Sequence, residues 1–246
     1  MFHIFTKKNF LVDHLENFVD MHNHILPGID DGAKTVDDSI TLIKEFSSFG
    51  VKNFIASPHI MSGYYPNTPD TINNALLQVK EALHKEGMES VSLAASAEHM
   101  IDDNYEHLLE TGKVMPLCKE YILVEMSFLQ PPINFMSAII KTANANFFPI
   151  LAHPERYTFL HRKPKKYQTY KEQGILFQLN ALSLGDYYGK SVNKVALKLL
   201  DEGHYNFIGT DVHNMNQLKA LKDLTISKKT IKSLLPIIYD SIEAFY

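Results

Sequence analysis

Seven times along the chain a short apolar run ends in a residue able to hold a metal ion or grip a substrate. Phe18-Val19 leads into Asp20-Met21-His22-Asn23-His24, and residues 53–58 lead into His59. Residues 92–97 lead into Glu98, 121–124 into Glu125, 148–152 into His153 and 175–179 into Asn180. The last run, 207–210, ends in Asp211-Val212-His213. His22 and His24, one residue apart on an extended segment, point the same way. Imidazole nitrogens suit transition metals, and the carboxylates of Glu98, Glu125 and Asp211 can bridge ions and neutralise their charge. A lone pair of histidines is a weak signal. The ordered set is a strong one, because a core strand gains nothing by ending in an unpaired Glu or Asp whose burial is expensive. Polar strand ends that only cap helices are the plainer reading, and they account for single residues better than for the series.

Between the runs lie amphipathic stretches with helical spacing. Ile40, Ile43 and Phe46 share one face of the first, with Thr35 and Asp38 as its N-terminal cap pair and Gly50 as its terminator. Thr68-Pro69 opens the second, with proline at the first helical position, and Gly87 closes it. Further helices are expected near 132–145, 164–173, 191–202 and 214–224, and one or two covering helices over 228–246. Strand and helix alternate about seven times, which predicts parallel strands joined by right-handed crossovers. A doubly wound open sheet would alternate in the same way but gather its ligands at one switch point. Candidate ligands at nearly every strand end favour a closed or nearly closed barrel, whose strand ends share one rim. Residues 1–17 read as an N-terminal extension with no assigned role and 18–246 as a single α/β domain.

The whole chain narrows the function further. Its 246 residues are 45% hydrophobic and 21% charged, enough for a large core and too apolar for global disorder. A net charge of −4 argues against a nucleic-acid surface, which needs a basic field. The single cysteine, Cys118, excludes an internal disulfide, fits a reducing compartment, and reads as a small buried residue. No apolar run approaches the ~20 residues that span a bilayer, and the N-terminus lacks the features of a signal peptide. The expected location is the cytoplasm.

The stretch from Asp20 to Gly32, DMHNHILPGIDDG, resembles the opening motif of the bacterial PHP-family (polymerase and histidinol phosphatase) protein-tyrosine phosphatases. These are manganese-dependent enzymes of capsule and exopolysaccharide operons. The later motifs follow in family order: Ala56-Ser57-Pro58-His59, Ala97-Glu98, Leu123-Val124-Glu125, Ala152-His153-Pro154-Glu155-Arg156 and Thr210-Asp211-Val212-His213-Asn214. The resemblance implies a distorted TIM-like (β/α)7 barrel with three divalent ions, Mn2+ first and Fe, Zn, Co or Mg as alternatives. It assigns His22, His24, Glu125 and Asp211 to one ion. Glu98, Glu125 and His153 go to a second, with Glu125 as the bridge, and Asp31, His59 and His213 to the third. Arg156, in a chain with only two arginines, would grip the phosphoryl group, since a planar guanidinium can hold two phosphate oxygens at once. Asp211 and His213 join it as expected catalytic residues. The chain departs from some relatives at Ile60, where they have a second histidine, and at Leu218, where they have an arginine.

The resulting expectation is a metal-dependent phosphomonoesterase acting on phosphotyrosine in proteins. Its implied substrate is the tyrosine-rich tail of an autophosphorylating bacterial kinase that controls polysaccharide synthesis. Histidinol phosphate is the alternative substrate from the wider superfamily. A nuclease fits the acidic balance poorly, and a degenerate non-catalytic barrel should have lost ligands. Tyr64 and Tyr65, after His59, can line the entrance and stack on an aromatic substrate. His99 should face away from its neighbour Glu98 and serve the structure.

Overall fold

The strands begin with β1 (Val19–Asp20), which carries the chain into the first histidine pair. The crossover that follows is α1 (Val36–Ser47). Thr35 Oγ1 accepts the Asp38 N–H while the Asp38 carboxylate accepts the Thr35 N–H, so the expected cap pair satisfies two of the helix's free donors. Ile40, Ile43 and Phe46 are buried, and Gly50, at φ +92°, turns the chain back toward the sheet. The computed structural model describes residues 8–118 and 120–246; residues 1–7 of the expected extension lie outside the described residues.

The remaining elements alternate as the sequence leads one to expect. They are β2 (Asn53–Ala56), β3 (His59–Ile60), α2 (Pro69–Lys85), β4 (Ser92–Ala95), β5 (Glu98–Met100), α3 (Tyr105–Glu110), β6 (Tyr121–Glu125), α4 (Phe135–Asn144) and β7 (Phe148–Ala152). Then come α5 (Thr158–His161), α6 (Lys165–Glu172), β8 (Leu176–Asn180), α7 (Lys190–Asp201), β9 (Phe207–Gly209), α8 (Met215–Asp223) and α9 (Lys228–Phe245). The tail is one helix, with Pro236 in its interior.

Two of the seven expected strands are broken in the middle. The second run splits into β2 and β3 at Ser57-Pro58, where proline has no N–H for the ladder. The third splits beside it, into β4 and β5. The halves below the break form a sheet in the order β1-β2-β4, and those above it join β3-β5-β6-β7-β8-β9; every strand pair is parallel. The ring then closes. Beyond β1, Asn23 pairs with Val212, and the Asp211 N–H donates to His22 O at 2.7 Å. Asp20 reinforces the seam by accepting the N–H and the hydroxyl of Thr210, at 2.9 and 2.6 Å. The result is a distorted α/β barrel.

Period-two alternation divides its interior. Val19, Ile55, Leu123, Ile150 and Phe207 form an apolar plug, capped from below by Phe245 of α9. Farther along the same strands, the inward positions turn polar at Glu125, Gln178 and Asn180. A larger apolar layer lies between strands and helices, and the segment before β1 contributes to it. Leu11 and Leu15 are buried there, with Leu11 N–H bonded to Leu224 O. Cys118 departs from expectation: it is exposed, at φ +45°, in the turn before β6. Leu117 takes the buried position at that turn instead.

Gly209 lets β9 approach the first strand. A Cβ there would lie 2.6 Å from His22 Cβ and 3.2 Å from Gln178 Nε2. Gly209→Ala should therefore force His22 aside and cost about 1–3 kcal/mol, read as a lower thermal midpoint. An unchanged midpoint would show that the seam is not tightly packed.

Candidate metal centre

All nine expected ligand residues lie on the upper side of the break in the second and third runs or at or past the carboxyl ends of the other strands. His22 and His24 follow β1, Asp31 lies in the loop beyond them, and His59 and Glu98 open β3 and β5. Glu125 ends β6, His153 follows β7, and Asp211 and His213 follow β9. His153 and Asp211 sit in the left-handed region, at φ +35° and +53°. Such backbone costs of order 1–3 kcal/mol in a non-glycine residue, and here it turns both side chains into the site. Gly32 tucks the Asp31 loop against the first strand, since a Cβ there would fall 2.0 Å from His24 O.

Glu98, fully buried, is the hub. Its Oε2 lies 3.3 Å from His22 Nε2, 3.1 Å from His59 Nδ1 and 3.6 Å from His24 Nε2. Its Oε1 meets His153 Nε2 at 3.1 Å. Asp211 Oδ1 faces His22 Nε2 and His24 Nε2, both at 3.3 Å. Asp31 Oδ1 is 3.5 Å from both His59 Nε2 and His213 Nε2. Glu125 Oε1 meets His59 Nδ1 at 2.9 Å.

These contacts make three sets whose ligand atoms lie within 4.8 Å of one another. The sets are His24, Asp31, His59 and His213; His22, His24, Glu98 and Asp211; and His59, Glu98 and Glu125. The grouping differs from the one the resemblance implies. Glu98 takes the central place given to Glu125, and His59 belongs to two sets.

The donor atoms fit cations. The buried His22 Nε2, His24 Nε2, His59 Nδ1, Glu98 Oε2 and Glu125 Oε1 have no hydrogen-bond partner among the described residues. Buried polar atoms left in that state are rare and costly. Here they converge on shared points, as lone pairs directed at ions would. Mixed imidazole and carboxylate donors suit divalent transition metals.

The field has the same sense. Burial would lower the His22 pKa, but Glu98 and Asp211 outweigh it and hold the ring above its usual value. Burial also opposes charge on His24, yet Asp30 helps lift it to about 10. Burial would raise the Glu98 pKa, but His22 and His59 keep it far below the carboxylate range. Buried carboxylates thus demand positive charge, which protons or metal ions can supply.

A second layer of polar residues, absent from the sequence-based site, orients these rings. Gln178 Oε1 accepts the His153 N–H at 3.3 Å, so it acts as an acceptor toward His22 Nδ1, 2.9 Å away. The neutral His22 ring then carries its proton on Nδ1 and leaves Nε2 free to ligate. Asp30 does the same for His24: its Oδ2 is 2.8 Å from Nδ1, and it also accepts the Gly32 and His59 N–H groups. Asn180, the strand end with no assigned role, donates to Asp211 Oδ2 at 2.8 Å. Only its place at the end of a run hinted at a function.

Arg156 lies beside this centre and donates from Nη1 to Asp211 Oδ2 at 2.6 Å. Tyr65 stacks on His59, with centroids 5.4 Å apart, and Tyr64 is mostly exposed. Together with Met61, Phe128 and Leu129 they line a cleft of about 610 Å3 that opens onto Asp31, His59 and Glu125. His99 faces away from the centre, its Nδ1 3.2 Å from Leu123 O, as expected. Leu218 is buried in the helix layer.

A family model described as capsular polysaccharide synthesis, CpsB/CapC, matches residues 18–231. The chain is 28% identical over 221 residues to the tyrosine-protein phosphatase YwqE of Bacillus subtilis, covering 89% of this chain and 87% of that one. It is 27% identical over 231 residues to the putative tyrosine-protein phosphatase CapC of Staphylococcus aureus, covering 92% and 88%. Its structure superposes with TM-score 0.76 and 27% identity on one of the crystal structures of YwqE and Streptococcus pneumoniae CpsB, described as unique metal-dependent tyrosine phosphatases. That match covers 89% of this chain and 94% of the other. A Mycoplasma synoviae amidohydrolase shares the fold alone, with TM-score 0.52 and 15% identity.

Asp30→Asn keeps the shape beside His24 and removes the charge. It should weaken metal retention about 10–100-fold, measured by titrating Mn2+ into chelated protein with the circular dichroism unchanged. Unaltered affinity would show that Asp30 does not tune the ligand.

Proposed function

The chain belongs to the CpsB/CapC family of capsular polysaccharide synthesis, and from that premise we propose that it is a metal-dependent phosphatase of protein phosphotyrosine. The observation that carries this reading is the set of unpartnered buried donors converging around Glu98 on a phosphatase-family scaffold. We assign three divalent ions, manganese first, to the three sets of ligands, with His153 completing the surroundings of Glu98. Such ions, when bound, lower the pKa of water and offset negative charge on phosphoryl oxygens.

The chain's own residues do the rest. Arg156 grips the phosphoryl group, with Nη1 bonded to Asp211 and its other N–H groups left for substrate oxygens. Asp211 and His213 are catalytic through contact with the ions, and the His213 Nδ1 proton is held on Asp211 O at 2.9 Å, leaving Nε2 toward Asp31. Tyr64, Tyr65 and Phe128 receive the aromatic ring of the substrate, the cleft leading directly to His59 and Glu125. That apolar wall suits an aryl ester better than a short alkyl phosphate.

The fuller reading places residues 18–246 as one phosphatase domain in the cytoplasm, acting on the tail of a bacterial tyrosine autokinase. Support for this comes from the capsule-synthesis family, the single unpaired cysteine and the acidic chain. Among the described residues, no helix is long and apolar enough to cross a membrane.

The test compares a multi-phosphotyrosine peptide with histidinol phosphate on one preparation. The peptide should be the better substrate; chelation or His22→Ala should abolish turnover, and Cys118→Ser should leave it unchanged. Preference for histidinol phosphate would overturn the substrate assignment. Loss of activity in Cys118→Ser at full metal content would overturn the metal mechanism.

A further inference from the structure

The Arg156 guanidinium lies over two aromatic rings. Its Cζ lies 4.7 Å from the centroid of Phe128, in the loop after β6, and 4.2 Å from that of Tyr188, in the loop before α7. One edge is spoken for by Asp211. Two ring contacts and one bonded edge restrain a guanidinium whose side chain is still 21% exposed.

Each ring is braced by separate contacts. The Tyr157 hydroxyl accepts the Met126 N–H at 3.0 Å, anchoring the loop that carries Phe128. Phe128 itself stacks on His153, with centroids 5.6 Å apart and planes at 23°. On the other side, Asn180 Nδ2 donates to the Tyr188 hydroxyl at 3.3 Å and to Asp211 Oδ2 at 2.8 Å. Tyr187 packs edge-on against Tyr188 at 5.0 Å. The same asparagine thus holds both the ring and the carboxylate that restrain Arg156.

We propose that Phe128 and Tyr188 are positioning residues for the phosphoryl group: they clamp the Arg156 guanidinium between their faces and set the angle at which its free edge meets phosphate. The proposal rests on the assignment of Arg156 as the phosphoryl grip. A long, flexible arginine loses side-chain freedom when it engages an oxyanion. A guanidinium already fixed in its plane has less to lose, so the clamp acts through preorganisation. Cation–π contact of this kind, partly shielded from water, corresponds to about 2- to 30-fold in affinity.

The experiment measures inhibition by inorganic phosphate and the KM and kcat for a phosphotyrosine peptide, with manganese content and thermal midpoint recorded for each variant. Tyr188→Leu and Phe128→Leu remove one face each and should weaken phosphate inhibition and raise KM about 3- to 30-fold at unchanged manganese content. Tyr188→Phe keeps the face and should recover most of the loss, which also separates the clamp from the hydroxyl. Arg156→Ala should weaken phosphate inhibition at least as much, and adding Tyr188→Leu to it should have no further effect. Full phosphate inhibition in both leucine variants, or additive losses in the double variant, overturns the clamp while leaving Arg156 as the grip. Unchanged inhibition in Arg156→Ala overturns the assignment of Arg156 itself.

Discussion

A carboxylate removed from water must be met by positive charge, and Glu98 is the place where this chain confronts that requirement. The idealised cost of burying such an ion is large, and several kcal/mol persist in a real protein after relaxation. Glu98 has no solvent exposure and touches His22, His24, His59 and His153. Protonated rings would supply compensation of one kind. Yet Gln178 and Asp30 already occupy the Nδ1 positions of His22 and His24, and only His153 is hydrogen-bonded to Glu98 among the described residues, through Oε1, leaving Oε2 without a partner. Ions answer the requirement better than protons because several lone pairs can converge on one charge. The unusual backbone of the barrel serves this convergence. The proline break between β2 and β3, the left-handed His153 and Asp211 and the glycine at 209 each bring a donor nearer to the hub.

The sequence disclosed most of what depends on one-dimensional pattern. Thr35 with Asp38, Thr68-Pro69 and Gly50 marked helix boundaries because capping is a local interaction, complete within a few residues. Apolar runs marked the strands, and their ends marked the residues that converge in the site. Patterns of this type cannot reveal which donors share an ion, because that depends on strand stagger and loop path. Hence Glu98, not Glu125, lies at the centre of the contacts, and His59 belongs to two sets. The orienting residues were hidden for a related reason. Gln178 and Asp30 act through side chains met only across the barrel or within a loop, and each resembles any other polar residue in the sequence. Cys118 differs from the expectation because cysteine's tendency to be buried is statistical, whereas the pairing of Leu117 with Tyr121 puts Leu117 in the interior.

The two departures from the family pattern have structural consequences. Ile60 is buried and pairs with His99 in the sheet, so the position after His59 supplies packing and no donor. Leu218 is buried in the helix layer, while its neighbour Lys219 points outward. Neither contributes a cation to the cleft. Arg156 is thus the guanidinium beside the histidine cluster, held by its bond to Asp211.

Asp211 is where the two halves of the chemistry meet. Its Oδ1 faces His22 and His24, and its Oδ2 takes the hydrogen bonds of Arg156 and Asn180. One carboxylate is thereby divided, with one oxygen toward the imidazoles and the other toward the guanidinium and the amide. The left-handed backbone at Asp211 is tolerable because both oxygens are held, together with the seam bond from its own N–H to His22 O. Any shift of Asp211 is felt by the imidazoles and the guanidinium together. The barrel seam, the histidine cluster and Arg156 are mechanically one unit, and the closest link among them is the backbone between Gly209 and His213.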